Sequence, residues 1–265
     1  MSPAADSAGQ PFEGRSFTPN PFQGDTGEEN PELARARQEF DRVVSKPASQ
    51  TTQAELEAAW VGVIDALKSA RLLSALLAEA GDFGVTETGA RVEKTQELSV
   101  VHVQGPDGRV VAPFFSRVDA MTTWNPEARP IPVESTRAAL ATASDGLELM
   151  VIDPGHDNSF VLRGSAIKAL ATQDEYRPPW NDPDVHLAIA HGIEAVGSVV
   201  EKHRVVAGDP SQTLSGPEVI VVVGVNPGLD PEQLRAHLAE ISAQWAANEV
   251  LARGVDGVGV RVIPA

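Results

Sequence analysis

Apolar positions recur along this chain in two rhythms, one of helices and one of strands. Leu56, Ala59, Trp60, Val63, Ile64 and Leu67 fall on one face of a helix, and Thr52-Gln53-Ala54-Glu55 ahead of them is a capping box. That pattern predicts a helix to about Ala70. Upstream, Asn30-Pro31-Glu32 sets an Asn cap before a proline, and Leu33, Phe40, Val43 and Val44 keep to one side, giving a helix over 31–44. The run Leu72–Ala78 is apolar throughout. It either extends the second helix or forms a buried strand, and propensity favours helix. From Gly81 to Glu93 the chain reads as loop.

Further on the period shortens. Leu98–Val103 and Val110–Phe115 flank Gly105-Pro106-Asp107-Gly108, a hairpin signal. Ser116 is placed to cap a short helix to about Trp124, Ile131–Glu134 is extended, and Ser135–Ser144 is helical. Leu147–Ile152 reads as a buried strand that ends at the turn Asp153-Pro154-Gly155, followed by a strand at Ser159–Leu162 and a helix at Ser165–Ala171. The proline-broken stretch Tyr176–Pro183 marks a domain boundary. Beyond it Asp182-Pro183 opens a helix to about Glu194, and strands follow near Val196–Val206 and Glu218–Val225. Asp230-Pro231-Glu232-Gln233 caps a helix to about Ala252, and Val258–Ile263 is a last strand.

The fold class is α+β. Two small layered α/β domains are expected, 31–180 and an α-β-β-α-β unit over 181–265, each a short mixed sheet covered by helices. Residues 1–30, rich in Pro, Gly, Ser and Asp, are expected to be a disordered tail, with Phe12, Phe17 and Phe22 as docking points. The stretches Val151–Ser159 and Val223–Pro231 echo one another as strand, Asx-Pro-Gly, polar gap, helix. The echo reads either as a duplication or as two turns.

Composition removes several functions. With 21 basic residues, 37 acidic ones and a formal charge of −16, nucleic acid and anionic membranes are disfavoured as partners. The absence of Cys excludes disulfides, thiolate catalysis and Cys-ligated metals. The first residues lack the basic and apolar regions of a signal peptide, and no apolar run is long enough to span a bilayer, so the expected location is cytoplasmic.

Candidate chemistry is sparse. Ser165-x-x-Lys168 matches the first element of penicillin-binding proteins and class A β-lactamases, but the Ser-Asp-Asn and Lys-Thr-Gly elements are missing, so Ser165 is read as a helix cap and Lys168 as solvated. Asp153, His156 and Asp157 follow a strand end, where carboxylates and an imidazole can hold a divalent metal or share a proton; the competing reading is an exposed turn. Asp182, Asp184 and His186 do not converge on a helix, nor do His186 and His191, and His102, His203 and His237 have no neighbour in sequence. Gly254, Gly257 and Gly259 flank a strand rather than a helix N-terminus, and no phosphate-binding loop occurs. Trp124, Tyr176 and Trp180 form either an aromatic surface or cover for the domain seam, with the seam favoured. No catalytic, cofactor or metal residue is assigned.

The segments NPFQGDTGEENPEL, DGRVVAPFFSRVDAMTTWNPEARPIPV, LMVIDPG with FVLRGSAIKALA, and VDGVGVRV resemble the SseB family in its two-domain actinobacterial form. They span most of 20–265 and agree best over 97–185. The family takes its name from an effect on serine sensitivity and defines no catalytic residues, so the resemblance carries none over. The expected function is a non-enzymatic protein that binds another protein through a groove or sheet edge. The alternatives are a small-molecule binder or enzyme at the Asp153–Asp157 loop, and a homo-oligomer pairing through Val258–Ile263.

Overall fold

A computed structural model describes residues 22–78, 83–85, 91–93, 98–226, 228 and 230–265. Phe12 and Phe17 lie outside them, and Phe22 is half-buried. The chain is tied down soon afterwards, with Arg71 gripping Asp25 and Arg37 gripping Glu29.

Two helices open the fold as their caps dictate. In α1 (Pro31–Val44) the Asn30 side chain accepts from the Glu32 and Leu33 amides at 2.8 and 3.2 Å. In α2 (Gln53–Ser69) Thr52 and Glu55 satisfy one another's backbone N–H groups. The two helices bury Leu33, Phe40 and Val43 against Leu56, Trp60 and Ile64.

The run Leu72–Ala78, for which propensity favoured helix, is a strand. Ala70 adopts ψ 158°, which ends α2, and β1 (Arg71–Ala78) begins at the next residue. Pairing on both sides overrides propensity. The short strands β2 (Phe83–Val85) and β3 (Arg91–Glu93) pair antiparallel where a loop was expected. Then β4 (Leu98–Val100) runs antiparallel to β1 and departs from the expected hairpin, whose arms are β5 (Val103–Gln104) and β6 (Val110–Phe114). After α3 (Val118–Trp124), β7 (Arg129–Glu134) closes the other side of β1, giving the order β4-β1-β7.

Next come α4 (Ser135–Ser144), β8 (Met150–Ile152), β9 (Phe160–Leu162) and α5 (Gly164–Thr172). They complete a mixed sheet of order β5-β6-β8-β9, in which β6 and β8 are parallel. The remainder is α6 (Pro183–Glu194), β10 (Val200–Ala207), β11 (Val219–Val225), α7 (Pro231–Ala246), α8 (Glu249–Gly254) and β12 (Val258–Pro264). The expected helix to Ala252 breaks because Asn248 turns its side chain onto the Val250 and Leu251 amides and starts α8. Gly197–Val199 forms a 3-10 turn, so β10 starts later than the pattern implied. The three strands are ordered β10-β11-β12, with β10 antiparallel and β12 parallel to β11.

The largest core cluster runs from Leu33 in α1 to Leu251 in α8. Within it Trp60 meets Trp180, ring centroids 4.0 Å apart at 84°, and Trp60 donates to the Pro210 carbonyl at 3.2 Å. Tyr176 and Trp180 are buried, and Trp124 packs on Phe115 at 5.3 Å, so these aromatics make no shared surface. Trp245 seats on Gly192, where an added Cβ would meet the ring at 2.4 Å, and donates to the Ile189 carbonyl. That close approach fixes α7 against α6.

Candidate functional site

The loop after β8 is built from the inside. Asp153 takes the left-handed conformation, φ 52°, and turns a fully buried carboxylate into the body. One oxygen accepts from Arg37 at 2.6 Å and from the Ser116 hydroxyl at 2.7 Å, and the other accepts from the Ser116 amide at 2.7 Å. Arg37 also donates to Glu29 at 2.8 Å and to the Asn158 carbonyl at 2.6 Å. A buried carboxylate persists only with such pairing. Ser116 is thus a partner of Asp153 and does not cap α3, whose N-cap Arg117 makes no side-chain capping bond.

The other loop residues point elsewhere. His156 places Nε2 at 3.1 Å from the Ala120 carbonyl oxygen, and Asp157 is exposed. The sequence grouping of Asp153, His156 and Asp157 therefore does not become a convergent site. Arg37 was missed, although it lies between Leu33 and Phe40 on the apolar stripe of α1, where a charge signals a buried partner. The echoed turn at Asn226 is exposed and closes on itself, Asn226 accepting from the Gly228 amide at 2.9 Å.

A second buried ion cluster surrounds Arg163. It donates to Asp209 at 2.6 Å, to the Gly216 carbonyl at 3.0 Å and to Asp256. Asp256 is shared with Arg109 of the hairpin. Asp209 in turn gathers the Thr213 and Leu214 amides and the Ser215 hydroxyl, which shapes the loop between β10 and β11.

Beside this cluster Glu218, 1% exposed, accepts from the Asp256 amide at 2.8 Å and from the Ser165 hydroxyl at 3.2 Å. Burial pushes its carboxyl up to about 7, against the pull of the Asp256 amide and Arg163. Burial likewise raises the Tyr176 phenol, which hydrogen-bonds Ser165. Ser165 lies inside α5, not at its cap, with its hydroxyl turned to Glu218 while Lys168 is exposed. Two cavities of about 310 and 330 Å³ meet at Ser165 and Arg253.

The remaining candidates stay apart. Asp182 caps α6 through the Asp184 amide at 2.8 Å, Asp184 is exposed, and His186 places Nε2 at 2.7 Å from the Trp180 carbonyl oxygen. His102, His191 and His203 are exposed and His237 is half-buried. Among the described residues no group of three or more His, Asp or Glu side chains can hold a metal ion. No helix among them is long and apolar enough to cross a membrane.

One outer strand of the C-terminal sheet, β12, leaves an apolar edge open. The Val219 amide donates to the Gly257 carbonyl, and the Ala265 amide to the Val225 carbonyl. In a parallel ladder the bonded residues alternate, so with this register Gly259, Arg261 and Ile263 bond to β11. The backbone groups of Val258, Val260 and Val262 then face outward, and among the described residues no strand pairs with them. Val260, Val262 and Ile263 are exposed at 36%, 37% and 37%. Pro264 falls on the outward register, where its missing N–H costs no ladder bond.

The described chain is therefore an α+β protein with two buried ion clusters and, at β12, an apolar strand edge that no other described strand covers. Residues 49–169 match the family model of the SseB protein N-terminal domain, so this part of the chain is similar to that domain. No curated protein and no solved structure matches the chain.

Two measurements probe the buried charges. Arg37→Met strands Asp153 and is expected to lower unfolding stability by about 3–5 kcal/mol in urea titration. For Glu218 the folded value of about 7 lies above the ordinary 4.5, so the folded state binds more protons between these values. Its contribution is full below pH 4.5, declines as pH rises to about 7, and is flat above. Glu55, held at about 2 by the Thr52 amide and by Lys46, acts with the opposite sign at lower pH. Glu218→Gln is expected to flatten the decline between pH 4.5 and 7 and to exceed the parent in stability at alkaline pH, followed by urea midpoints across that window.

Proposed function

We propose that this SseB-like chain is a cytoplasmic, non-catalytic protein-binding module that captures an extended segment of another protein along β12. The observation that carries the reading is the row of outward backbone groups at Val258, Val260 and Val262, bordered by exposed apolar side chains. Soluble folds ordinarily blunt such edges with charge, cover or brevity, and a bare one accepts an added strand. Only Arg261 carries charge on β12. The alternative site at Asp153–Asp157 is less favoured, because both oxygens of the Asp153 carboxylate are already engaged by Arg37 and Ser116. Absence of Cys suits a reducing compartment.

Val262→Pro tests the proposal cleanly. It deletes an outward N–H while leaving the bonds between β11 and β12 in place. Wild-type bait is expected to retain a partner from native lysate that the folded Val262→Pro variant loses, with equal urea midpoints for the two baits. Equal retention by both, or recovery of bait alone at low salt, contradicts the proposal.

A further inference from the structure

The outer face of the C-terminal sheet gathers three cations, from β10 and β12. Strand register sets Arg204, Val222 and Arg261 in one row across β10, β11 and β12, and Lys202, Gly224 and Ile263 in the next. Side chains alternate along strands, so Lys202, Arg204 and Arg261 share one face. All three are exposed, and among the described residues none of them forms an ion pair. Arg37, Arg71, Arg109 and Arg163, by contrast, are all paired with carboxylates. Lys202 lies over Gly224, where an added Cβ would stand 2.7 Å from its Cγ, and Val222 is only 5% exposed between the two arginines.

An added strand would lie beside β12 with its side chains opposite those of β12, roughly 5 Å away. On the outer face its residue opposite Arg261 meets an unpaired cation, two strands from Arg204. On the other face its residues opposite Val260 and Val262 meet exposed valines. The geometry points to an extended peptide segment that alternates apolar and acidic residues as the partner of β12. This inference rests on the docking role proposed for that strand and adds the chemistry of what docks.

A second copy of the chain fits less well. Symmetric antiparallel pairing centred on Val260 sets each Arg261 opposite Gly259, leaves the cation unpaired, and brings together two bodies of formal charge −16. A polyanion such as nucleic acid leaves the exposed valines unused.

The test uses the full chain and three labelled peptides of equal length, alternating Val with Glu, Val with Gln and Val with Lys, followed by fluorescence anisotropy. The Val-Glu peptide is expected to bind best and to weaken with added salt. Arg261→Glu, which turns one attractive cross-strand pair into a repulsive one, should weaken it about tenfold, whereas Arg261→Lys should not. Val262→Pro should weaken all three peptides alike.

Equal binding of Val-Glu and Val-Gln, still abolished by Val262→Pro, overturns the acidic preference and leaves the docking edge standing. Absence of binding by every peptide overturns both, as does binding indifferent to Val262→Pro. Tighter binding of oligo-thymidine than of Val-Glu overturns the peptide assignment. A light-scattering mass of twice 28.0 kDa for the free chain, lost in Val262→Pro, assigns the edge to self-pairing instead.

Discussion

The position of β12 depends on the guanidinium of Arg163. It sits fully buried at the start of α5 and holds Asp209 from the loop before β11 and Asp256 from the turn before β12. Arg109 grips Asp256 from the hairpin side. One cation thus fastens the C-terminal sheet to the layer of β5, β6, β8 and β9. Two buried carboxylates around one arginine are tolerable only because the remaining lone pairs are met by the amides of Thr213 and Leu214 and by Arg109. Glu218, just before β11, completes the joint by accepting the Asp256 amide.

That joint is one of two places where buried carboxylates are paired with arginines. Of the two carboxylates offered after β8, Asp153 is drawn inward while Asp157 stays exposed, and two more carboxylates are buried against an arginine. Asp153 goes to Arg37, and Asp209 and Asp256 go to Arg163. Charge left over lies on the surface, where solvation is cheap, and three of its cations, Lys202, Arg204 and Arg261, share the outer face of the β10-β11-β12 sheet. The same joint anchors β12 through Asp256, two residues before it.

Much of the fold was legible because local signals and packing agree. The caps at Asn30, Thr52, Asp182 and Asp230 are where the sequence placed them, since an Asx or Thr side chain before a helix satisfies the same amides in any context. The strand β1 was not legible. Leu72–Ala78 has helical propensity, and only the partners β4 and β7, distant in sequence, make it extended. The broken helix after Ala246 hinged on Asn248, a residue that competes with the helix for its own amides. Of the candidate residues, Asp153 was singled out with a ligand reading set against an exposed turn, whereas its carboxylate is buried on Arg37 and Ser116. Its partners Arg37 and Ser116 come from remote elements that no spacing rule connects. The unpaired edge was half visible, since Val258–Ile263 read as a strand, but which side of it stays open is decided by the parallel register with β11.

The central claim is that β12 carries a vacant hydrogen-bonding edge. Residue-resolved amide hydrogen exchange of the free chain tests it most directly. The account predicts slow exchange at Gly259, Arg261 and Ile263, whose amides point into the ladder with β11, and fast exchange at Val258, Val260 and Val262. Uniform protection along all six amides would mean that the edge is already covered, and would contradict it.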